Sequence, residues 1–265
     1  MINKMAKDAE GFYFNRAVNA KSSESTRHYH STYEIYCLTE GRCSYFIDDS
    51  FYDVAAGDVI LIPNGVIHRT NYSDYCHSRL LVNFPKEMIP EGLKDVLLDT
   101  HYRAGAAASK VRELMELIEW EYENLDTYSE EALTLLVGRI LFTLFRSKGE
   151  AAPARNDGGS LVERVVKHMR ENYMYDLRLN LVAKEFAVSS EHLSRIFKKH
   201  TGFGFNEYLT LLRLQRAEFM LVNEPGKSVG EIAYSCGFND GNYFSHRFKT
   251  TYGVSPSELR KKSGE

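Results

Sequence analysis

The sequence predicts a multidomain chain: an all-β sandwich or barrel followed by helices, then an all-α domain with two helix-turn-helix units. Three observations predict it. From about residue 10 to 85, short apolar runs are separated by turn formers. From about residue 109, apolar residues recur at three- and four-residue steps. Near the C-terminus, one stretch repeats weakly at a spacing of 51 residues.

The β region comes first. Runs such as Cys43-Ser44-Tyr45-Phe46-Ile47 and Val59-Ile60-Leu61-Ile62 are strand-like, and Asp48-Asp49-Ser50, Gly57-Asp58 and Pro63-Asn64-Gly65 punctuate them. Closely spaced short strands of this kind close into a sandwich or barrel. The helical period then takes over at Val111, Leu114 and Ile118. It resumes at Leu133, Leu136, Val137, Ile140, Leu141 and Leu144, with a break near Asp126-Thr127. The second helix is apolar over more than one stripe, so it has two sides to bury. Packing on the β layer explains one side, and pairing with a second copy of the chain would explain the other. Ser147 to Ser160 carries Gly, Pro, Ala and polar residues without periodicity and reads as a linker. Beyond it the pattern is helical to Lys261.

The repeat has the logic of two helix-turn-helix units. Ser194-Arg195-Ile196-Phe197-Lys198 resembles Ser245-His246-Arg247-Phe248-Lys249, and Gly202 and Gly253 keep the spacing of 51. Upstream, Ala183 and Ala233 are 50 apart, so one residue is inserted between the two alignments. In the first copy a helix over 179–187 leads through a turn at Val188-Ser189 to a second helix with Ser190 as N-cap. In the second, the turn is Gly237-Phe238-Asn239 and the N-cap is Asp240. The outward face of the first copy's second helix shows Ser190, Glu191, His192, Ser194, Arg195, Lys198 and Lys199. The corresponding face of the second copy shows Asn239, Asn242, Tyr243, His246, Arg247 and Lys249. Such side chains hydrogen-bond base edges or neutralise phosphates. A helix over 206–221, about 24 Å long at 1.5 Å per residue, joins the copies. That length suits two reading helices placed in successive major grooves, roughly 34 Å apart.

On these residues, 161–262 resembles the DNA-binding domain of the AraC/XylS family. The resemblance is carried by Ile232-Ala233-Tyr234-Ser235-Cys236-Gly237-Phe238, by Phe248-Lys249 and by Gly253-Val254-Ser255-Pro256. Arg213, Ala217 and Leu221 stand where the family's connecting helix has an Arg, Ala, Leu pattern. Leu259 departs from the family's usual Tyr, and leucine fills the same core position. The resemblance implies promoter DNA, a small-molecule effector, a second copy of the chain and RNA polymerase as partners.

In the N-terminal half, His28-Tyr29-His30, Glu34 and Gly41, followed by Gly57, Pro63, Gly65 and His68, resemble the two motifs of a cupin jelly roll. Residues 28, 30 and 34 share strand parity, so on a continuous strand their side chains face one way. His28, His30, Glu34 and His68 are candidate ligands for Zn, Ni, Mn or Fe. They are equally candidates for direct contact with an organic effector, or for structural roles. Tyr33, Tyr36, Tyr45 and Arg42 are expected to line the pocket, since aromatic faces and a forked cation suit sugars or acids.

Composition narrows the classes. The net charge of −3 hides a split: residues 160–265 hold 16 Lys+Arg against 12 Asp+Glu, and residues 1–159 hold 17 against 24. Only the C-terminal half is suited to polyanions. No apolar run is long enough to cross a bilayer. Met1 to Asn15 lacks the apolar core of a secretory signal. Four scattered cysteines without a CxxC pair fit a reduced, cytoplasmic setting. The expected domains are a sensing jelly roll at 1–105, a helical dimerisation segment at 106–148, a linker at 149–160 and a DNA-binding domain at 161–265. The leading function is a non-enzymatic, sequence-specific DNA-binding regulator controlled by a small molecule, a sugar or related metabolite. The alternative is a metal-dependent cupin enzyme or metal sensor fused to a DNA-binding domain.

Overall fold

The computed structural model describes residues 11–20, 32–48, 50–72, 76–94, 102–103, 107–147 and 160–263. The chain divides into two compact units, 1–156 and 157–265.

The first unit is built on two antiparallel sheets. Its strands are β1 (Tyr13–Ala20), β2 (Tyr33–Glu40), β3 (Arg42–Ile47), β4 (Ser50–Ala55), β5 (Val59–Ile62), β6 (His68–Tyr72), β7 (His77–Phe84) and β8 (Tyr102–Arg103). The larger sheet has the order β1-β7-β2-β5-β8 and the smaller the order β4-β3-β6. Glycines make the sharp joins. Gly41, Gly57 and Gly65 all have positive φ. At Gly41 a Cβ would sit 2.8 Å from the carbonyl oxygen of Cys76, so the turn between β2 and β3 can lie against the start of β7 only without a side chain.

The central strands are apolar on one face and mixed on the other, and both faces are covered. Tyr33, Ile35 and Cys37 of β2, with Leu80, Val82 and Phe84 of β7, pack against two helices, α1 (Ala108–Glu123) and α2 (Ser129–Arg146). The helices contribute Val111, Met115, Ile118, Leu133, Val137, Ile140 and Leu141 to this core. The opposite face gives a second cluster between the sheets, including Tyr36, Leu38, Tyr45, Ile47, Ile60, Ile62 and Leu81. Tyr33 therefore faces the helices, stacked on Phe84, and does not line the space between the sheets.

This packing revises the reason for expecting a dimer. Leu133, Val137, Ile140, Leu141 and Leu144 are all buried within the unit, because α2 packs on α1 and on the segment at 86–90, in one core with the large sheet. Leu136 is partly buried against the same core. The apolar side chains that these helices leave exposed are Leu117, Trp120, Leu135 and Phe142.

The second unit is all-helical: α3 (Leu161–Asn172), α4 (Leu179–Glu185), α5 (Ser190–Thr201), α6 (Phe205–Asn223), α7 (Val229–Ser235), α8 (Gly241–Tyr252) and α9 (Pro256–Ser263). Ala183 and Ala233 are both buried, small enough for the paired helices to cross closely. Phe244 and Phe248 of α8 pack with Leu214, Ala217 and Leu221 of α6 and with Ile232 and Ala233 of α7. Leu259 packs against this cluster. Among the described residues no helix is long and apolar enough to cross a membrane.

Candidate ligand pocket and nucleic-acid interface

Inside the β unit, polar side chains from both sheets meet around Glu34. Its carboxylate accepts a hydrogen bond from the Tyr45 hydroxyl at 2.9 Å and one from Asn83 Nδ2 at 3.3 Å. His68 Nε2 lies 3.7 Å from Oε2, the oxygen that accepts from Asn83, with both side chains almost fully buried. His68 Nδ1 lies 2.8 Å from the Val66 carbonyl, which can only accept, so Nδ1 carries the proton. That bond fixes the tautomer and turns Nε2 toward Glu34. Tyr45 stacks on His68 and meets Tyr36 edge-on at 5.1 Å between ring centroids. Tyr36 donates to the Tyr72 hydroxyl at 3.3 Å. Burial pushes the Tyr36 and Tyr45 phenols well above the usual range and raises the Cys43 thiol to about 12, so all three stay protonated.

The expected site residues fare differently. Glu34, Tyr36, Tyr45 and His68 are brought together. His28 and His30 lie outside the described residues. Among the described residues no group of three His, Cys, Asp or Glu is placed to hold a metal. Arg42 is exposed at the first position of β3, on the opposite parity to the inward Cys43, Tyr45 and Ile47, so it does not line the interior. The inward guanidinium belongs instead to Arg79 on β7. Leu81 of that strand lies between the sheets, so His77, Arg79 and Asn83 share its inward face. Burial opposes the charge on Arg79, but Tyr72, Tyr36, Tyr45 and Glu34 around it raise its pKa on balance. His77 is shifted down, by burial first and then by Arg79. The sequence signal for these residues was the alternation along β7.

In the helical unit the two reading helices are capped at both ends. Ser189, not Ser190, is the N-cap of α5: its hydroxyl accepts from the His192 amide at 3.1 Å. The turn is one residue shorter than in the second copy: the cap follows the left-handed Ala187 by two residues, whereas Asp240 follows Gly237 by three. Asp240 caps α8 and accepts from the Asn242 and Tyr243 amides at 2.8 and 2.9 Å. Gly202 and Gly253, both left-handed, end the two helices. Glu191, His192, Ser194, Arg195, Lys198 and Lys199 are exposed on α5, and Ser190 is half-buried. Asn239, Asn242, Tyr243, His246 and Lys249 are exposed in the second copy, while Arg247 is half-buried with Nε enclosed.

Arg213 of α6 ties the segment that follows α3 to the connecting helix, beside the turn of the second copy. Its Nε donates to the Tyr173 carbonyl and its Nη2 to the Tyr175 carbonyl, both at 2.8 Å. Gly237, at φ 84°, lies behind it: a Cβ there would meet Arg213 Nε and the Tyr173 oxygen at 2.9 Å each.

A β sandwich with a polar interior, joined in one chain to two capped helix-turn-helix units, defines a ligand-binding regulator of the DNA-binding class. Comparison with known proteins agrees. A family model described as the AraC-like ligand binding domain matches residues 17–137, and one described as a helix-turn-helix domain matches 182–262. The chain is 29% identical over 240 residues to the Msm operon regulatory protein of Streptococcus mutans, covering 86% of this chain and 84% of that one. It is 26% identical over 245 residues to the HTH-type transcriptional activator RhaS of an Enterobacter species, covering 88% and 87%. Among solved structures, the C-terminal domain of AraT, a response regulator from Geobacillus stearothermophilus, is 33% identical over 38% of this chain and 84% of its own, with a TM-score of 0.37. The chain belongs to the AraC family of transcription regulators, with a ligand-binding N-terminal domain and a helix-turn-helix DNA-binding domain.

Proposed function

We propose that this regulator binds promoter DNA sequence-specifically with α5 and α8, under the control of a small molecule held between the sheets of the β unit. The observation that carries the reading is the pair of capped helices presenting exposed polar faces at matched positions within one helical body. Arg195, Asn242 and His246 suit base edges; Lys198, Lys199 and Lys249 suit phosphates. Glu34, Tyr36 and His68 are the effector-facing residues, with His28 and His30 as further ligands of an effector or a metal. The named relatives are transcription regulators, which supports a non-enzymatic, cytoplasmic role. Two copies would pair through the apolar side chains that α1 and α2 leave exposed, Leu117, Trp120, Leu135 and Phe142. RNA polymerase is a further partner on this reading.

Linkage supplies the test. A compound that stabilises the full chain in a thermal-shift screen must change its DNA affinity by the same factor as DNA changes the compound's affinity. A reciprocal shift of about fivefold or more supports the reading. A compound that binds tightly between the sheets and leaves DNA affinity unchanged would contradict it.

A further inference from the structure

We propose that the effector is a small acidic molecule, a hydroxylated carboxylic acid whose carboxylate pairs with Arg79 and His77 on the inward face of β7. The proposal rests on the reading of the β unit as the effector-binding half.

The geometry starts with a guanidinium that has a donor still to place. A guanidinium carries five donors and keeps its charge. Among the described residues the Arg79 side chain bonds Tyr72, and its Nη1 is buried with no hydrogen-bond partner. The described interior carboxylate, Glu34, accepts from Tyr45 and Asn83, and its charge reaches Arg79 through space. A buried donor left in this state is costly unless an acceptor meets it.

A second orphan stands beside it. His77 Nδ1 is also buried without a hydrogen-bond partner. Its ring is held flat against Tyr72 at 3.6 Å between centroids. His77 and Arg79 are two residues apart on one face, about 7 Å along the strand, so their side chains can converge on one carboxylate. A neutral sugar hydroxyl would meet the donor, but a carboxylate meets it with a charge-assisted bond and has a second oxygen for His77. The remaining polar groups set the rest of the molecule. Glu34 and Asn83 are register partners across β2 and β7. They lie about 13 Å along the strand from Arg79, with Tyr36 and Tyr45 between. That end accepts and donates hydrogen bonds as hydroxyl groups require, and the tyrosine rings suit a sugar-like carbon skeleton.

The test uses the full chain and matched probes: D-galacturonate, D-glucuronate and D-gluconate against D-galactose, D-glucose and sorbitol. Thermal shift and calorimetry should show at least one acid binding and its neutral counterpart not. Arg79→Gln should weaken that acid by at least about 30-fold, as expected when one partner of a buried charge pair is removed. Arg79→Lys should retain part of the affinity. A second measurement needs no ligand. Because Nη1 is buried with no hydrogen-bond partner among the described residues, Arg79→Met should raise the midpoint of thermal unfolding of the unliganded chain, by roughly 2–4 °C. Binding confined to the neutral sugars, or equal in wild type and Arg79→Gln, overturns the proposal and leaves the effector reading standing. A lowered midpoint in Arg79→Met makes Arg79 a structural brace and overturns it as well. Binding of neither set overturns the proposal, and the effector reading is then decided by the thermal-shift screen and its linkage to DNA affinity.

Discussion

The two helix-turn-helix units follow the same path into the turn, with different residues at its left-handed position, and the second reaches its cap one residue later. In the first the left-handed position is Ala187, exposed, at φ 55°. In the second, 50 residues on, it is Gly237 at φ 84°. The backbone conformation alone does not demand glycine, since alanine occupies it at a cost of roughly 1–2 kcal/mol. What demands it is the wall behind Gly237, the Arg213 guanidinium and the Tyr173 carbonyl, each 2.9 Å from where a Cβ would be. The first turn looks onto solvent. The second packs against α6 and the segment that follows α3. Repetition of sequence therefore copies the fold, and the contacts behind each copy decide which residues are free to vary.

Gly237→Ala should break this comparison hardest. Strain at positive φ, with a clash against backbone, should cost the helical unit about 2–3 kcal/mol. Ala187→Gly should change stability by about 1 kcal/mol or less. Urea unfolding followed by far-UV circular dichroism would compare them, and equal effects at the two turns would contradict the packing argument. Next in size are the base-reading side chains. Arg195→Ala and His246→Ala should each weaken specific binding by roughly 1–3 kcal/mol and relax preference at one base pair, one position per unit. Sequence selection from a random pool with each variant would show whether the relaxed positions are separate. The caps should then differ between units. Asp240 satisfies two amides and places a negative charge at a helix N-terminus, whereas Ser189 satisfies one. Asp240→Ala should fall at the upper end of about 0.5–2 kcal/mol and Ser189→Ala at the lower. Smallest are the exposed lysines. Lys198→Ala and Lys249→Ala should weaken binding to all sequences alike and reduce the salt slope by about 1 each. A change in base preference without a change in slope would overturn the phosphate assignment.

The same contrast explains what could be read from the sequence. The helical unit was legible because its repeat displays every constraint locally: buried alanines at matched positions, glycine at both C-caps and apolar residues at helical spacing. The N-cap of α5 is Ser189 and not the expected Ser190, because adjacent serines both offer a capping hydroxyl and the sequence alone does not choose between them. The β unit was harder. Its strands were visible, and so were Glu34, Tyr36, Tyr45 and His68 as inward residues. Arg79 was not. Along β7 the apolar positions Leu80, Val82 and Phe84 face the helices, and the mixed positions His77, Arg79 and Asn83 face inward. A mixed face on an antiparallel strand usually means solvent. Only the packing of α1 and α2 on the large sheet reverses that reading. The same packing took up Leu133, Val137, Ile140 and Leu141, whose pattern had suggested an interface with a second copy.

The central claim is that both units of one chain read DNA together, held at fixed spacing by α6. A hydroxyl-radical footprint of the full chain, on a site selected from random sequence, tests it most directly. The account predicts two protected patches per protomer on one face of the duplex, about one helical turn or 34 Å apart. Arg195→Ala and His246→Ala should each loosen a different patch. A single short patch per protomer, lost equally with either variant, would contradict it.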